Sequence, residues 1–193
     1  MAALRITAGA LRGRRVPVPA GDIRPTSERA RQAFFNIVGS RIGGARFLDL
    51  FAGSGIFSFE AVSRGAQSST AVERDRRKVE AIARLAKEWS VPVAATEGEA
   101  LATLPRLREP FDIVYADPPY DFSGYGELVD ALGNLALNEG AVVAVEHRKR
   151  TNPFHETAGR LRIERRAEYG EVWITFFQAP GIRRLASGAG PDA

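Results

Sequence analysis

Apolar runs alternate with amphipathic segments along most of the chain, a pattern that predicts an α/β domain. The apolar runs predict strands at residues 46–50, 69–73, 93–96, 111–116, 141–146, 161–168 and 172–177. Helical periodicity predicts helices at residues 56–64, 76–90, 99–107 and 125–135. Five alternating βα units followed by a closing hairpin predict a Rossmann-like, mostly parallel sheet of seven strands, with one antiparallel strand beside the fifth.

The first part of the chain follows a different pattern. Residues 4–8 and 14–18 predict two short strands around a turn, which together would form a hairpin that presents arginines. A helix is predicted from Pro25 to about Val38, with Phe34 facing inward. Three segments follow from these patterns: a basic hairpin and helix at residues 1–40, packed as an appendage on an α/β domain at residues 41–180, and a disordered tail at residues 181–193.

Composition limits the kind of protein. The chain has 193 residues, of which 45% are hydrophobic, enough for one domain with a substantial core. With no cysteine and two histidines, a thiolate or histidine metal site is not expected. No apolar run approaches the length of a membrane span, and no signal-like run opens the chain, so we expect a soluble, cytoplasmic protein and, as a starting point, a monomer.

The basic residues are concentrated near the amino terminus. Residues 1–46 hold nine arginines against two acidic residues, whereas the rest of the chain holds 18 basic and 21 acidic residues. Arginine is suited to bidentate phosphate contacts and to base stacking, so this arm is a candidate nucleic-acid-binding element. A general preference for arginine would explain the arginine content but not its position. The candidate contacts in the predicted hairpin are Arg5, Arg12, Arg14 and Arg15.

A ligand-binding turn follows the strand at residues 46–50. Gly53 and Gly55 flank Ser54 and would let the backbone approach a ligand closely at positive φ. The next position of a dinucleotide fingerprint is serine rather than glycine, and no Lys-Ser or Lys-Thr pair follows, so a pyrophosphate ligand is not expected. Asp49 favours a cationic or hydroxyl-bearing ligand, and Phe51 either lines that site or packs beneath it.

Glu73 ends the next predicted strand, 24 residues after Asp49. This is about the spacing at which doubly wound folds place a carboxylate on a ribose, so we predict that Glu73 binds ribose hydroxyls. The alternative is an acid at the amino-terminal cap or first turn of the following helix.

The segment Asp117-Pro118-Pro119-Tyr120 directly follows the strand at residues 111–116. Two prolines stiffen the turn and donate no N–H, so carbonyls and the Asp117 carboxylate dominate its polarity. Such an acceptor-rich loop can hold an amine, and Tyr120 can cover a flat group. A plain strand-terminating turn is the alternative.

Asp49, the Gly-Ser-Gly turn, Glu73 and the Asp-Pro-Pro-Tyr loop together indicate S-adenosylmethionine and an amino-group acceptor. The chain resembles the RsmD type of bacterial 16S ribosomal RNA guanine-N2 methyltransferases over roughly residues 4–178. The matching segments are Arg5–Gly9 with Arg12–Arg14, Arg24–Thr26, Phe34–Ile37, Leu48–Gly55, Ser63–Ala66, Asp117–Tyr120 and Tyr169-Gly170. In this family, the resemblance implies, the fold is that of the class I methyltransferases, the donor is S-adenosylmethionine and no metal takes part.

The resemblance also assigns further residues. Glu99 and Ala100 stand where an Asp-Ala or Asn-Ala pair is common, and with Arg74 they complete the predicted cofactor site. Arg24 and Thr26 are predicted to contact RNA, with helix entry as the alternative. The implied substrate is 16S RNA within a partly or fully assembled 30S subunit.

A catalytic hypothesis follows from the chemistry of the amine. The guanine N2 lone pair is delocalised into the ring, so it must be localised before attack on the methyl group. Asp117 and the Pro118 carbonyl would accept the two amino hydrogens, and Tyr120 would stack on the base. A methyltransferase for adenine N6 in DNA or for glutamine N5 in protein, and a noncatalytic RNA-binding module, are the alternatives.

Overall fold

The computed structural model describes residues 2–18, 25–148, 153–154, 157–158 and 160–179. The strands are β1 (Ala2–Arg5), β2 (Arg15–Val18), β3 (Arg46–Leu50), β4 (Ser68–Glu73), β5 (Val93–Glu97), β6 (Phe111–Ala116), β7 (Leu137–Arg148), β8 (Thr157–Ala158), β9 (Leu161–Tyr169) and β10 (Val172–Gln178). The α-helices are α1 (Pro25–Val38), α2 (Ile56–Ser63), α3 (Arg76–Trp89), α4 (Ala100–Thr103) and α5 (Tyr125–Gly133). Short 3-10 turns cover Gly39–Ile42 and Leu104–Arg106. The predicted tail at residues 181–193 lies outside the described residues, as does Arg24. No helix in the described ranges is long and apolar enough to cross a membrane.

The main sheet has the strand order β5-β4-β3-β6-β7-β10-β9-β8. Strands β3 to β7 pair in parallel, and β10 lies antiparallel between β7 and β9. The predicted mostly parallel sheet of seven strands is therefore confirmed, and the two-residue β8 adds a short strand at one edge. Because the strand order reverses between β3 and β6, their carboxyl ends border one crevice.

Two elements differ in length from the prediction. The helix expected at residues 99–107 ends as α4 at Thr103 and continues as a 3-10 turn, in which Pro105 has no N–H to extend the α-helical hydrogen bonds. Strand β7 begins at Leu137, earlier than expected, and its pairing with β6 is irregular where Gly140 has a φ of 72°. The glycine resembles a turn residue in the sequence but lies within the strand.

Helices cover both faces of the sheet. On one face, Phe34 of α1 meets five aromatic rings at centroid distances of 4.8 to 6.1 Å, among them Tyr115 of β6. On the other face, α4 and α5 pack over residues such as Leu50 and Val114. Burial on both faces explains the near-continuous apolar sequences of β3 and β6.

The β1-β2 hairpin is fixed to the carboxyl end of α2. The backbone N–H of Ala10 donates to the Ser63 carbonyl at 2.8 Å, and that of Leu11 donates to Ser63 Oγ at 2.9 Å. Gly9 has a φ of 81°, and a Cβ at this position would lie 1.8 Å from the Ser63 carbonyl oxygen. A glycine is therefore needed for this close approach.

A buried carboxylate joins the hairpin, α1 and α2. Glu60 of α2 accepts hydrogen bonds from the Thr7 backbone N–H at 2.9 Å and from Arg64 Nε at 2.9 Å. Arg31 of α1 is fully buried, with its Nε 3.6 Å from Glu60 and a further hydrogen bond to the Arg5 carbonyl. The position of the hairpin therefore depends on paired charges as well as on apolar contacts.

Candidate active site

Asp49 lies at the carboxyl end of β3 and is 2% exposed. Its Oδ2 accepts hydrogen bonds from Ser58 Oγ at 2.8 Å and from the Ser58 backbone N–H at 3.1 Å. Burial raises the pKa of Asp49 to about 8, although the Ser58 hydrogen bonds favour the charged form. A cation bound beside Asp49 would restore its charge, which fits the prediction of a cationic ligand.

The turn after β3 has a left-handed backbone at three positions. Phe51 has a φ of 59°, Gly53 of 56° and Gly55 of 75°. A positive φ at a bulky residue such as Phe51 is strained and is often found at ligand sites. A Cβ on Gly55 would lie 2.9 Å from Cγ1 of Ile82 in α3, so Gly55 permits close packing behind the turn, whereas a Cβ on Gly53 has no neighbour closer than 4.0 Å.

Glu73 closes the same turn from the neighbouring strand. Its Oε2 accepts the Gly53 N–H at 2.8 Å, and its Oε1 accepts the Asp75 N–H at 2.9 Å. Asp75, not Glu73, caps α3 by accepting the Arg77 N–H. The alternative role of Glu73 as a helix-capping acid is therefore wrong, and each carboxylate oxygen keeps capacity for a second hydrogen bond.

A cleft of about 340 Å³ runs along the carboxyl ends of β4, β3 and β6, a volume typical of small-molecule sites. It is lined by most of the predicted cofactor residues: Asp49, Phe51, Gly53, Ser54, Glu73, Arg74, Glu99, Ala100 and Asp117. Arg74 and Glu99 form an exposed ion pair at 3.7 Å. Gly55 lies behind the turn, where it packs closely against Ile82. These residues are brought together as predicted, while their contact with a cofactor stays a prediction.

The cleft also contains residues that the sequence patterns missed. Leu4 of β1 and Val18 of β2 line it, so the hairpin forms part of the wall. Lys78 and Phe122 line it as well. No local motif marks these four positions, and those of Leu4 and Val18 depend on how the hairpin docks on α2.

The Asp117 loop leaves β6 at the edge of this cleft. The Asp117 N–H donates to the Leu50 carbonyl at 3.3 Å, and the Phe122 N–H donates to the Pro119 carbonyl at 3.0 Å. Pro118 is buried. Tyr120 is 46% exposed, and the guanidinium carbon of Arg148 lies 4.0 Å from the centre of its ring. One face of the tyrosine therefore has a cation against it.

Two buried phenols lie next to the loop. Tyr115 is fully buried, stacks on Phe57 at 3.9 Å and donates its hydroxyl hydrogen to Glu146 Oε2. Burial, reinforced by the charges of Glu146 and Asp117, raises the pKa of Tyr115 well above its ordinary value. Burial, with smaller contributions from Asp117 and Glu146, raises the pKa of Tyr125 to about 12. Sequence reasoning missed Glu146.

The predicted RNA contacts in the hairpin are exposed. Arg5, Arg12, Arg14 and Arg15 all reach the surface, and Arg14 lies 5.2 Å from the centre of the Trp89 ring. Trp89 in turn packs edge-on against Phe59 at 5.1 Å. Thr26 belongs to α1.

The strand order and the cleft at the β3-β6 crevice define a class I methyltransferase fold. The model of the family described as Conserved hypothetical protein 95 matches residues 4–178, and the chain belongs to this family, the RsmD type.

Relatives and solved structures agree with this assignment. The chain is 36% identical over 146 residues to ribosomal RNA small subunit methyltransferase D of Escherichia coli, covering 74% of each chain. It is 33% identical over 153 residues to the protein of the same name from Haemophilus influenzae, covering 76% of this chain and 79% of that one. The solved structure of Escherichia coli yhhF superposes with a TM-score of 0.82 at 29% identity, covering 94% of this chain and 100% of that chain. SMU.776, solved in complex with SAH, is 16% identical with a TM-score of 0.66, covering 81% of this chain and 50% of that chain, and shows the shared fold alone.

Proposed function

We propose that this protein transfers a methyl group from S-adenosylmethionine to the exocyclic N2 amine of a guanine in 16S ribosomal RNA. The observation that carries the proposal is the position of the Asp117 loop, which contributes Asp117 and Pro119 to the same cleft as the glycine turn of β3. Relatives that are named as ribosomal RNA small subunit methyltransferases support the coarser assignment to ribosomal RNA.

The residues of the cleft fit the cofactor. Asp49, whose charged form is disfavoured by burial, would face the positively charged part of the ligand. Glu73 would accept the ribose hydroxyls, and Phe51 and Ala100 would flank the adenine. When bound, S-adenosylmethionine supplies a methyl group on an activated sulfonium, so the reaction needs neither a metal nor a covalent nucleophile.

The acceptor amine would be held by the Asp117 loop. Asp117 and the Pro118 carbonyl would accept the two amino hydrogens and so localise the nitrogen lone pair toward the methyl group. Tyr120 would stack on the guanine with the ring face opposite Arg148, and the Arg148 cation would strengthen that platform. The methylated amine is strongly acidic, so Asp117 can receive its proton without acting as a strong base. The guanine must be unpaired or flipped to enter.

Methyl transfer from labelled S-adenosylmethionine tests the proposal. Unmethylated small-subunit particles, naked ribosomal RNA, DNA and protein would be assayed in parallel, followed by nucleoside and amino-acid analysis. N2-methylguanine in the ribosomal samples is expected, and the comparison of particle with naked RNA identifies the substrate. Methyladenine, methylglutamine, or cofactor binding without any transfer would each contradict the proposal.

Substitution of Asp117 tests the role of the loop. We expect Asp117→Ala to lower kcat by about a hundred-fold or more, because the amine loses the acceptor that aligns it. The affinity for RNA should stay within about two-fold, since phosphate contacts dominate binding. Asp121→Ala, an exposed residue of the same loop, is the matched control and should retain full activity. Normal turnover by Asp117→Ala would show that the loop does not position the amine.

A further inference from the structure

Glu146 is a buried carboxylate on β7, next to the Asp117 loop, and it has no part in the mechanism above. It is 8% exposed. In the parallel pairing of β6 with β7, Ala116 lies opposite Val145, so the residues that follow, Asp117 and Glu146, lie side by side at the carboxyl edge. Neighbouring strands are about 4.8 Å apart, which is also the scale of the separation expected between these two backbones.

The two carboxylates point to the same face of the sheet. Tyr115 and Asp117 are two residues apart at the end of β6 and therefore project to one face. The Tyr115 hydroxyl donates to Glu146 Oε2, which places Glu146 on that face too. The charges of both Glu146 and Asp117 act on Tyr115, which agrees with this arrangement. Tyr115 itself lines the cleft.

Glu146 lies on the side of Asp117 away from the predicted cofactor residues. Those residues follow β3, β4 and β5, whereas β7 is the neighbour of β6 on the opposite side. Arg148, two residues after Glu146 on the same strand, reaches the ring of Tyr120. The half of the site that would receive the base is therefore bordered by Asp117, Tyr120, Glu146 and Arg148.

The edge of guanine that carries the N2 amine has a second donor, the N1–H, directly beside it. An ionised carboxylate is an acceptor-only group and matches a pair of adjacent donors. Adenine instead has an unprotonated N1 beside its amine, and that lone pair would face the carboxylate without a hydrogen bond. Two carboxylates side by side thus provide acceptors for N2–H and N1–H together.

We propose that Glu146 accepts the guanine N1–H and is the residue that selects guanine as the methyl acceptor, with Tyr115 holding its carboxylate in place. This inference rests on the proposed guanine-N2 activity and adds to it the group that recognises the base. In this arrangement Asp117 accepts a hydrogen bond from the amine, and Glu146 accepts one from the neighbouring N1–H.

The test compares guanine with 2-aminopurine at the methylated position of the RNA. The analogue keeps the amine at C2 but has no hydrogen on N1. Wild-type protein should methylate 2-aminopurine about ten- to a hundred-fold more slowly than guanine, the discrimination typical of a good contact with a base edge. Glu146→Gln presents an amide N–H to the bare N1 of 2-aminopurine. Turnover of guanine should therefore fall by a similar factor, while turnover of 2-aminopurine rises. The preference for guanine over 2-aminopurine should become smaller or invert.

Controls separate the possible failures. Glu139→Gln removes a carboxylate from an exposed position of the same strand and should keep the wild-type preference. If wild-type protein methylates no guanine at all, the proposed function fails. If it methylates both bases equally, or if Glu146→Gln keeps the wild-type ratio, the function stands and the role of Glu146 is refuted.

Folding of the variant is checked by circular dichroism and by cofactor binding. Should Glu146→Gln bind no cofactor, Glu146→Asp replaces it, because it keeps the charge but withdraws the carboxylate by one methylene. Guanine turnover should then fall by about ten-fold or more with no gain on 2-aminopurine. Unchanged turnover on guanine would overturn the proposal.

Discussion

The surroundings of Asp49 disfavour the ionised form of its carboxyl group. Burial raises its pKa from 3.8 to about 8 in the folded protein. The folded state therefore holds a proton that the unfolded chain releases between these two values, and this favours the fold at low pH. The stabilisation is complete below about pH 3.8 and is lost as the pH rises toward about 8. A bound cation reverses the preference, so cofactor binding near neutral pH should release a proton.

Asp49→Asn isolates this effect. The asparagine cannot ionise, and its carbonyl oxygen can still accept from Ser58. Between pH 6 and pH 8, the free energy of unfolding of the cofactor-free wild-type protein should fall by about 2 kcal/mol relative to that of the variant. Urea denaturation of both proteins at the two pH values measures it. A constant difference would mean that Asp49 ionises normally when buried.

At the residue scale, the predicted side chains of the cleft share one property: each lies at or just after the end of a strand. Asp49, Glu73 and Asp117 could be placed together because the carboxyl ends of parallel strands meet at one edge. Glu146 also ends an apolar run but carries no motif. Its role depends on the register between β6 and β7 and on the Tyr115 hydroxyl, and neither is visible in the sequence.

At the scale of elements, the docking of the β1-β2 hairpin on α2 depends on one close backbone contact. Gly9 and Gly13 both have positive φ, 81° and 89°, but only a Cβ on Gly9 would meet another atom, the Ser63 carbonyl oxygen, among the described residues. A comparison of alanine substitutions at Gly9 and Gly13 therefore separates the effect of a steric clash from that of backbone strain alone.

Gly9→Ala should displace the hairpin, whereas Gly13→Ala should cost only about 1 kcal/mol, the usual penalty for a left-handed alanine. We expect Gly9→Ala to destabilise the protein by clearly more than this and to weaken RNA binding, because the hairpin arginines lose their position. Denaturation and RNA-binding titrations of both variants provide the measurement. Equal effects of the two substitutions would show that the contact with Ser63 does not fix the hairpin.

The order and type of the elements followed from periodicity, while their ends did not. Alternation of apolar and amphipathic segments was sufficient to predict the seven main strands. Pro105 shortened α4 because it has no N–H to extend the helical hydrogen bonds. Gly140 lies inside β7 because strand pairing outweighed its local preference for a turn. The attachment of the hairpin to Glu60 and Ser63 is a long-range contact that no local pattern encodes.

At the scale of the whole molecule, the positive charge is concentrated near the amino terminus, and we expect RNA binding to depend mainly on that part of the chain. The arginine-rich first 46 residues include the hairpin and α1, and the hairpin also lines the cleft through Leu4 and Val18. RNA bound by the hairpin arginines would thus be held close to the Asp117 loop. With this geometry, an arm that binds RNA phosphates would also bring the base toward the loop.

Paired charge removals test whether the arm or the overall charge binds RNA. Arg12→Gln with Arg15→Gln removes two exposed arginines of the hairpin region, and Arg106→Gln with Arg108→Gln removes two exposed arginines outside the hairpin, near the start of β6. Each lost phosphate contact should reduce the slope of log affinity against log salt by roughly 0.7 to 0.9. We therefore expect a reduction of about 1.5 for the hairpin pair and almost none for the other pair. Salt titrations of RNA binding measure both slopes. An equal reduction for the two pairs would mean that net charge, rather than the hairpin, attracts the RNA.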